Sequence, residues 1–104
     1  MNCPFCEVEH AVTVPQINLN GTHPQDLREE VLRALEAVRD AEKALLDACP
    51  NGRDYQGLSG AAAIALSQHS HRLDAIERIK RELDEILGHI QAVIDHREAQ
   101  RTPA

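Results

Sequence analysis

Cys49-Pro50-Asn51-Gly52-Arg53-Asp54-Tyr55-Gln56-Gly57 separates two stretches of helical periodicity, and its reading as a reversal decides the fold. Proline disfavours a helical residue before it and glycine tolerates the change of direction, so a helix arriving from the amino-terminal side stops here. Upstream, Leu27, Val31, Ala34, Val38, Ala41, Leu45 and Ala48 recur at steps of four and three, which is the seam of a helix packed along another. Leu32, Leu35 and Leu46 lie beside that seam. Glu29 with Arg33 and Lys43 with Asp47 are opposite charges four apart, suited to a solvated face. Thr22 and Gln25 have the spacing of a capping box with Pro24 in the first turn, so the first helix is expected over 24–49.

Downstream of the reversal, expected over 50–58, Ser59 is a capping residue for a second helix over 59–98. Its seam is Leu66, His69, Leu73, Ile76, Lys80, Leu83, Leu87, Ile90 and Ile94, with a second row of Ile79, Ile86 and Val93. At ~1.5 Å per residue the helices would be about 40 and 60 Å long, leaving two or three turns of the second one overhanging. A reversal near residue 54 sets residues near 85 beside the start of the first helix. Lys80, in the seam, is expected to snorkel.

The first 22 residues have another texture. Val8, His10, Val12 and Val14 alternate with polar or small residues, and Ile17 and Leu19 resume the alternation after Pro15. This is the period of an extended segment. Two short extended pieces make no stable sheet alone, so the arm must pair with another copy or lie along the helices. The expected architecture is therefore all-α: a long antiparallel helical hairpin over 23–104 carrying an extended arm over 1–22, and oligomeric so that the overhang is covered.

Composition narrows the function. The chain has 104 residues, a formal charge of −6, only Phe5 and Tyr55 as aromatics, and three cysteines. Net acidity argues against nucleic-acid and anionic-membrane partners, which reward Lys and Arg. An odd number of cysteines makes no disulfide framework, and no apolar run suits a signal peptide or membrane span. A cytoplasmic setting with reduced thiols follows as the expectation.

Three places carry candidate chemistry. Cys3-Pro4-Phe5-Cys6 with His10 offers thiolates and an imidazole at zinc-ligand spacing. Four ligands close a structural site, and His23, His89 and His96 are the possible completions, with His23 taken into the candidate set. Thioredoxin-like use of the CxxC lacks its βαβ setting. In the second helix, His69 falls on the seam while His71 points elsewhere, so they are no adjacent metal pair. His69 is either a core or register residue or, with Arg72, the lining of a groove reaching from the reversal. The reversal itself supplies Asn51 and turn amides, Arg53 as a fork for phosphate, Asp54 as an acceptor and Tyr55 as a flat face. Asn20, beside Gly21, joins this ligand-binding set. The plain reading is that Asn51 and Gly52 reverse the chain and Tyr55 plugs the hairpin's end.

The segments Thr13-Val14-Pro15-Gln16-Ile17-Asn18-Leu19-Asn20-Gly21-Thr22 and Pro50-Asn51-Gly52-Arg53-Asp54-Tyr55 resemble a family of short helical bacteriophage and prophage proteins. The resemblance brings no activity with it. It implies a host-cytoplasm setting and adds weight to Arg53, Asp54, Tyr55 and Asn20. Some small helical phage proteins form oligomers that sequester nucleotide signals of bacterial immunity, and this chain is similar to them in size and helicity. The expectation is thus a nonenzymatic homo-oligomer binding a nucleotide-like anionic ligand. The alternative is an adaptor or inhibitor that docks on a host protein through a zinc-stapled arm. An enzyme is disfavoured because the carboxylates sit beside Arg or Lys partners at helix-surface spacing.

Overall fold

The computed structural model describes residues 12–17, 21–57 and 59–101, with Arg101 described by its backbone alone. Two long helices, α1 (Pro24–Asp47) and α2 (Ala61–Arg101), pack against each other, with a 3-10 turn at Gly52–Tyr55 between them. The molecule is a rod of 71 × 26 × 24 Å. No helix among the described residues is long and apolar enough to cross a membrane.

The start of α1 departs from the expected capping box. His23, not Thr22, is the N-cap, and its Nδ1 accepts a hydrogen bond from the Gln25 backbone N–H at 3.3 Å. Pro24 follows in the first helical position, where its missing N–H costs nothing, and Asp26 complements the positive end of the helix. At the other end the Ala48 N–H closes on the carbonyls of Ala44 and Leu45 at 3.0 and 3.1 Å, two residues short of the proline that forbids another turn. The left-handed backbone positions of the connection are Gly57 (φ +88°) and Gly60 (φ +76°), whereas Gly52 sits in the 3-10 turn. The chain reverses at the two glycines that follow Tyr55 rather than at Asn51-Gly52. Helix α2 accordingly opens at Ala61, with Ile64 N–H donating to the Gly60 carbonyl at 3.2 Å, two residues after the expected Ser59.

The buried seam of α1 is not the one that periodicity favoured. Leu35 is 1% exposed, while Ala34, Ala41 and Ala48 face solvent. Counting outward from Leu35 at steps of three and four gives Pro24, Arg28, Val31, Leu35, Val38, Glu42 and Leu45, all buried or half-buried. Two of these positions are charged and break the apolar pattern, but each has a partner across the hairpin. Arg28 Nε donates to Gln91 Oε1 at 2.7 Å, and Lys80 Nζ donates to both Glu42 oxygens at 3.0 and 3.2 Å and to Glu77 at 3.2 Å. Lys80 therefore spans the helices instead of snorkelling to water. In α2 the expected seam holds from His69 through Ile94, but Leu66 is 48% exposed and Ala65 takes its place.

These pairs fix the antiparallel register. With Glu42 opposite Lys80, Asp47 comes level with about residue 75, so the first ~20 Å of α2 stands beyond the end of α1. With Arg28 opposite Gln91, Pro24 comes level with about residue 95, not 85. The offset arises because the reversal is centred near Gly60: after α1 ends, the connection runs back along α2, and the 3-10 turn packs on it. The longer overhang is thus at the connection end.

Among the described residues the arm forms no strand. Its residues 13–17 have no regular secondary structure and lie along the far end of α2. The Pro15 carbonyl is 2.8 Å from His89 Nε2, and the Ile17 carbonyl accepts from Arg97 at 3.5 Å. Because a carbonyl only accepts, His89 donates from Nε2. Val12 and Val14 are half-buried and Thr13 is exposed, so the alternation is realised against a helix. With the arm in place, His89, Ile90, Val93 and Ile94 fall to 6% exposure or less. The core is densest here.

Candidate functional site

The connection holds three of the expected ligand-binding residues on one 3-10 turn. Asn51 caps that turn: its Oδ1 accepts from Arg53 N–H at 2.9 Å and its carbonyl accepts from Asp54 N–H at 3.0 Å. Asn51 is thereby engaged in shaping the chain. Arg53 and Asp54 are exposed, and Tyr55 is half-buried. His69 lies on the stretch of α2 that stands beyond α1, is 5% exposed, and has no hydrogen-bond partner for Nε2. Arg72 is exposed three residues on, adjacent to His69 along the helix. Asn20 lies outside the described residues, and its neighbour Gly21 precedes α1 by three residues, so the ~36 Å length of α1 separates that neighbour from the connection. Within one chain, Arg53, Asp54 and Tyr55 are brought together, and Gly21 is held at the opposite end from them.

Of the expected zinc ligands, Cys3, Cys6 and His10 lie outside the described residues, and no group of three metal-ligating side chains occurs among the described ones. His23 is at the end where the arm is fastened, and its Nδ1 is turned to the helix cap. A cleft beside it is lined by His23, Asp26, Arg97 and Glu98, whose charges are of both signs.

A different feature emerges from the two flanks of the hairpin. On the flank of Gln91 and Lys80 the helices are laced by polar contacts. The opposite flank follows from helical geometry at 3.6 residues per turn. On α2 it carries Ile79, Ile86 and Val93, in line with the arm-binding His89 and Arg97; on α1 it carries Leu27, Ala34, Ala41 and Ala48. The alanine series read as the buried seam is the rim of this flank. Together with Val31, Val38 and Leu45 on α1 and Ile76, Leu83 and Ile90 on α2, these rows are apolar over their middle, while at heptad spacing they run on to Arg72 and Arg97, and Glu82 lies between Ile79 and Ile86 at their outer edge. Ile79 is 40% exposed. The described arm residues, 12–17, lie against the far end of this flank. Ile79, Ile86 and Val93 had been legible as a second apolar row; what periodicity could not supply was which alanines share their side.

The chain matches no protein-family model, no curated protein and no solved structure at a significant level.

Proposed function

We propose that the protein is a nonenzymatic helical interaction module that engages another protein through the apolar rows of Ala34, Ala41, Ile79 and Ile86. The observation that carries this reading is that two apolar rows, one from each helix, share a flank and leave Ile79 40% exposed. Charged residues are depleted at the centres of protein interfaces, where desolvating them is costly, and apolar rows bordered by Arg72 and Glu82 have that composition. The phage setting implied by the sequence resemblance would make the partner a host protein. A zinc-stapled arm belongs to the same proposal, with His23 contributing Nε2 because Nδ1 serves the helix cap. Capture from a lysate of the source cells with wild-type and Ile79→Lys protein tests the docking face. A protein retained by the first and lost with the second supports it; identical captured sets sink it.

A second reading keeps the connection as a site for a nucleotide-like anion, with Arg53 on a phosphate and Tyr55 on a base. It is favoured by His69, whose buried Nε2 lacks a partner on the helical stretch against which that turn packs. Such a group costs on the order of 1–3 kcal/mol when left unsatisfied, a cost that a bound ligand would offset.

A further inference from the structure

We infer that Asn51 is a site of spontaneous covalent modification, deamidation through a cyclic imide formed with the Gly52 backbone nitrogen, and that the 3-10 turn sets its rate.

The chemistry follows from the dipeptide. When the Gly52 nitrogen gives up its proton and bonds to the side-chain carbonyl carbon of Asn51, the bond from that carbon to the amide nitrogen breaks and ammonia leaves. Water then adds to one of the two imide carbonyls and opens the ring. Opening one way leaves an ordinary aspartate. Opening the other way leaves an isoaspartyl linkage, in which the main chain runs through the side-chain carbon. The only co-reactant is water. A β-carbon on the following residue would crowd the attacking nitrogen, and glycine has none. Asn51 and Gly52 are both exposed, and a β-carbon at Gly52 would have no atom within 4 Å, so neither solvent nor space is withheld.

What the fold withholds is alignment. Ring closure requires rotation about the Asn51 Cα–C bond until the Gly52 nitrogen comes over the side chain. Asn51 stands at φ −107° and ψ 130°, where an L residue directs the following nitrogen well away from its own Cβ. Its Oδ1 accepts the Arg53 N–H at 2.9 Å, and its carbonyl accepts the Asp54 N–H at 3.0 Å. The first of these bonds polarises the side-chain carbonyl, which favours attack, but together they fix the rotation that keeps the nitrogen out of reach. Reach decides, because the reacting atoms must first be in contact. The ring therefore closes only when the turn opens. No residue of Gly52–Tyr55 is buried, so that opening costs little.

The two products affect the turn differently. Aspartate caps as well as asparagine does, so it keeps the bond from Arg53. The isoaspartyl product adds a carbon to the main chain and moves the capping group, which unseats the turn. Each places a further negative charge beside Arg53 and Asp54, and so weakens the attraction of the turn for an anion. Modification thus works against nucleotide binding at the connection and has no bearing on the apolar rows.

Tryptic mapping of the full-length chain, held in warm neutral buffer and sampled over weeks, tests the inference. Peptide 44–53 carries Asn51, while Asn20, also followed by glycine, falls in a separate peptide. Peptide 44–53 should gain about 1 Da, and an isoaspartyl methyltransferase should methylate part of it. The rate in the urea-unfolded chain should exceed that in the folded chain by about tenfold or more, the factor lost when the reacting geometry exists only after local opening. Gly52→Ala, which the space around Gly52 admits, should lose the modification with helicity unchanged. Equal rates in folded and unfolded chains overturn the control by the turn. A peptide 44–53 of unchanged mass in the unfolded chain, or one that gains mass equally fast in Gly52→Ala, overturns the site.

Discussion

Ala34 and Leu35 are neighbours with opposite fates, and the difference between them is where periodicity and packing part company. A pattern of threes and fours through Leu27, Val31, Ala34, Val38, Ala41 and Leu45 is unbroken by charge, so it is the better apolar seam on paper. The fold instead centres on Leu35, at 1% exposure, and admits Arg28 and Glu42 to the seam because Gln91 and Lys80 satisfy them. A larger aliphatic buries more area than alanine, and a charge in a seam is tolerated once it is paired across it. Leu35→Ala should therefore destabilise the protein by about 2–5 kcal/mol, from lost burial and the cavity left behind. Leu46→Ala, at a side chain 57% exposed, should change stability by no more than about 0.5 kcal/mol. Urea denaturation of the two variants measures both, and equal effects would place the seam elsewhere. His23 shows the same limit in another form. Thr22 with Gln25 satisfies the capping rule, yet the imidazole one residue on receives the Gln25 N–H, and sequence spacing does not distinguish the two.

At the scale of the helices, the hairpin itself was legible, with ends within about three residues: helical rows on either side of a proline and glycine connection give little choice. The register was not, because it depends on how far the connection runs back along α2 before Gly60 turns it. The Glu42 and Lys80 pair sets that register, with Glu77 as a third member. The Lys80 ammonium is held above its ordinary value of 10.5, first by the hydrogen bond to Glu42 and then by that to Glu77, against some loss of hydration. A raised value in the folded state means the pair's contribution is complete below the unfolded lysine value and fades as pH climbs through the folded one. The stability gap between the wild type and Lys80→Met should thus be flat from neutrality to about pH 10 and shrink above it. Denaturation series across that range check it; a gap that closes between pH 7 and 9 would contradict the pairing. The candidate site was legible in pieces. Arg53, Asp54 and Tyr55 do share one short turn, as their adjacency requires, but Asn20 depends on tertiary placement, and its neighbour Gly21 stands a helix length away from them.

Over the whole molecule, packing is graded along the 71 Å axis. Among the described residues the far end holds the buried His89, Ile90, Val93 and Ile94 with the arm across it, Leu35 is buried at mid-length of α1, and the connection end holds Ala65 and His69. Amide exchange should follow that gradient, slowest around His89–Ile94 and fastest over the first turns of α2, since local opening is cheapest where few apolar contacts are lost. Uniform protection along α2 would count against it.

The gradient runs against the chain's own connectivity. Contacts near the connection join residues close in sequence, such as Glu42 and Lys80, 38 apart, while the arm is joined to α2 across 74 and 80 residues. Loop closure is entropically easier for the shorter loops. The protein thus places its strongest packing where closure is most demanding and its weakest where closure comes almost unaided. A rod built this way can zip from the connection on local contacts, while its lifetime in the folded state is decided at the other end, by whether the arm stays seated.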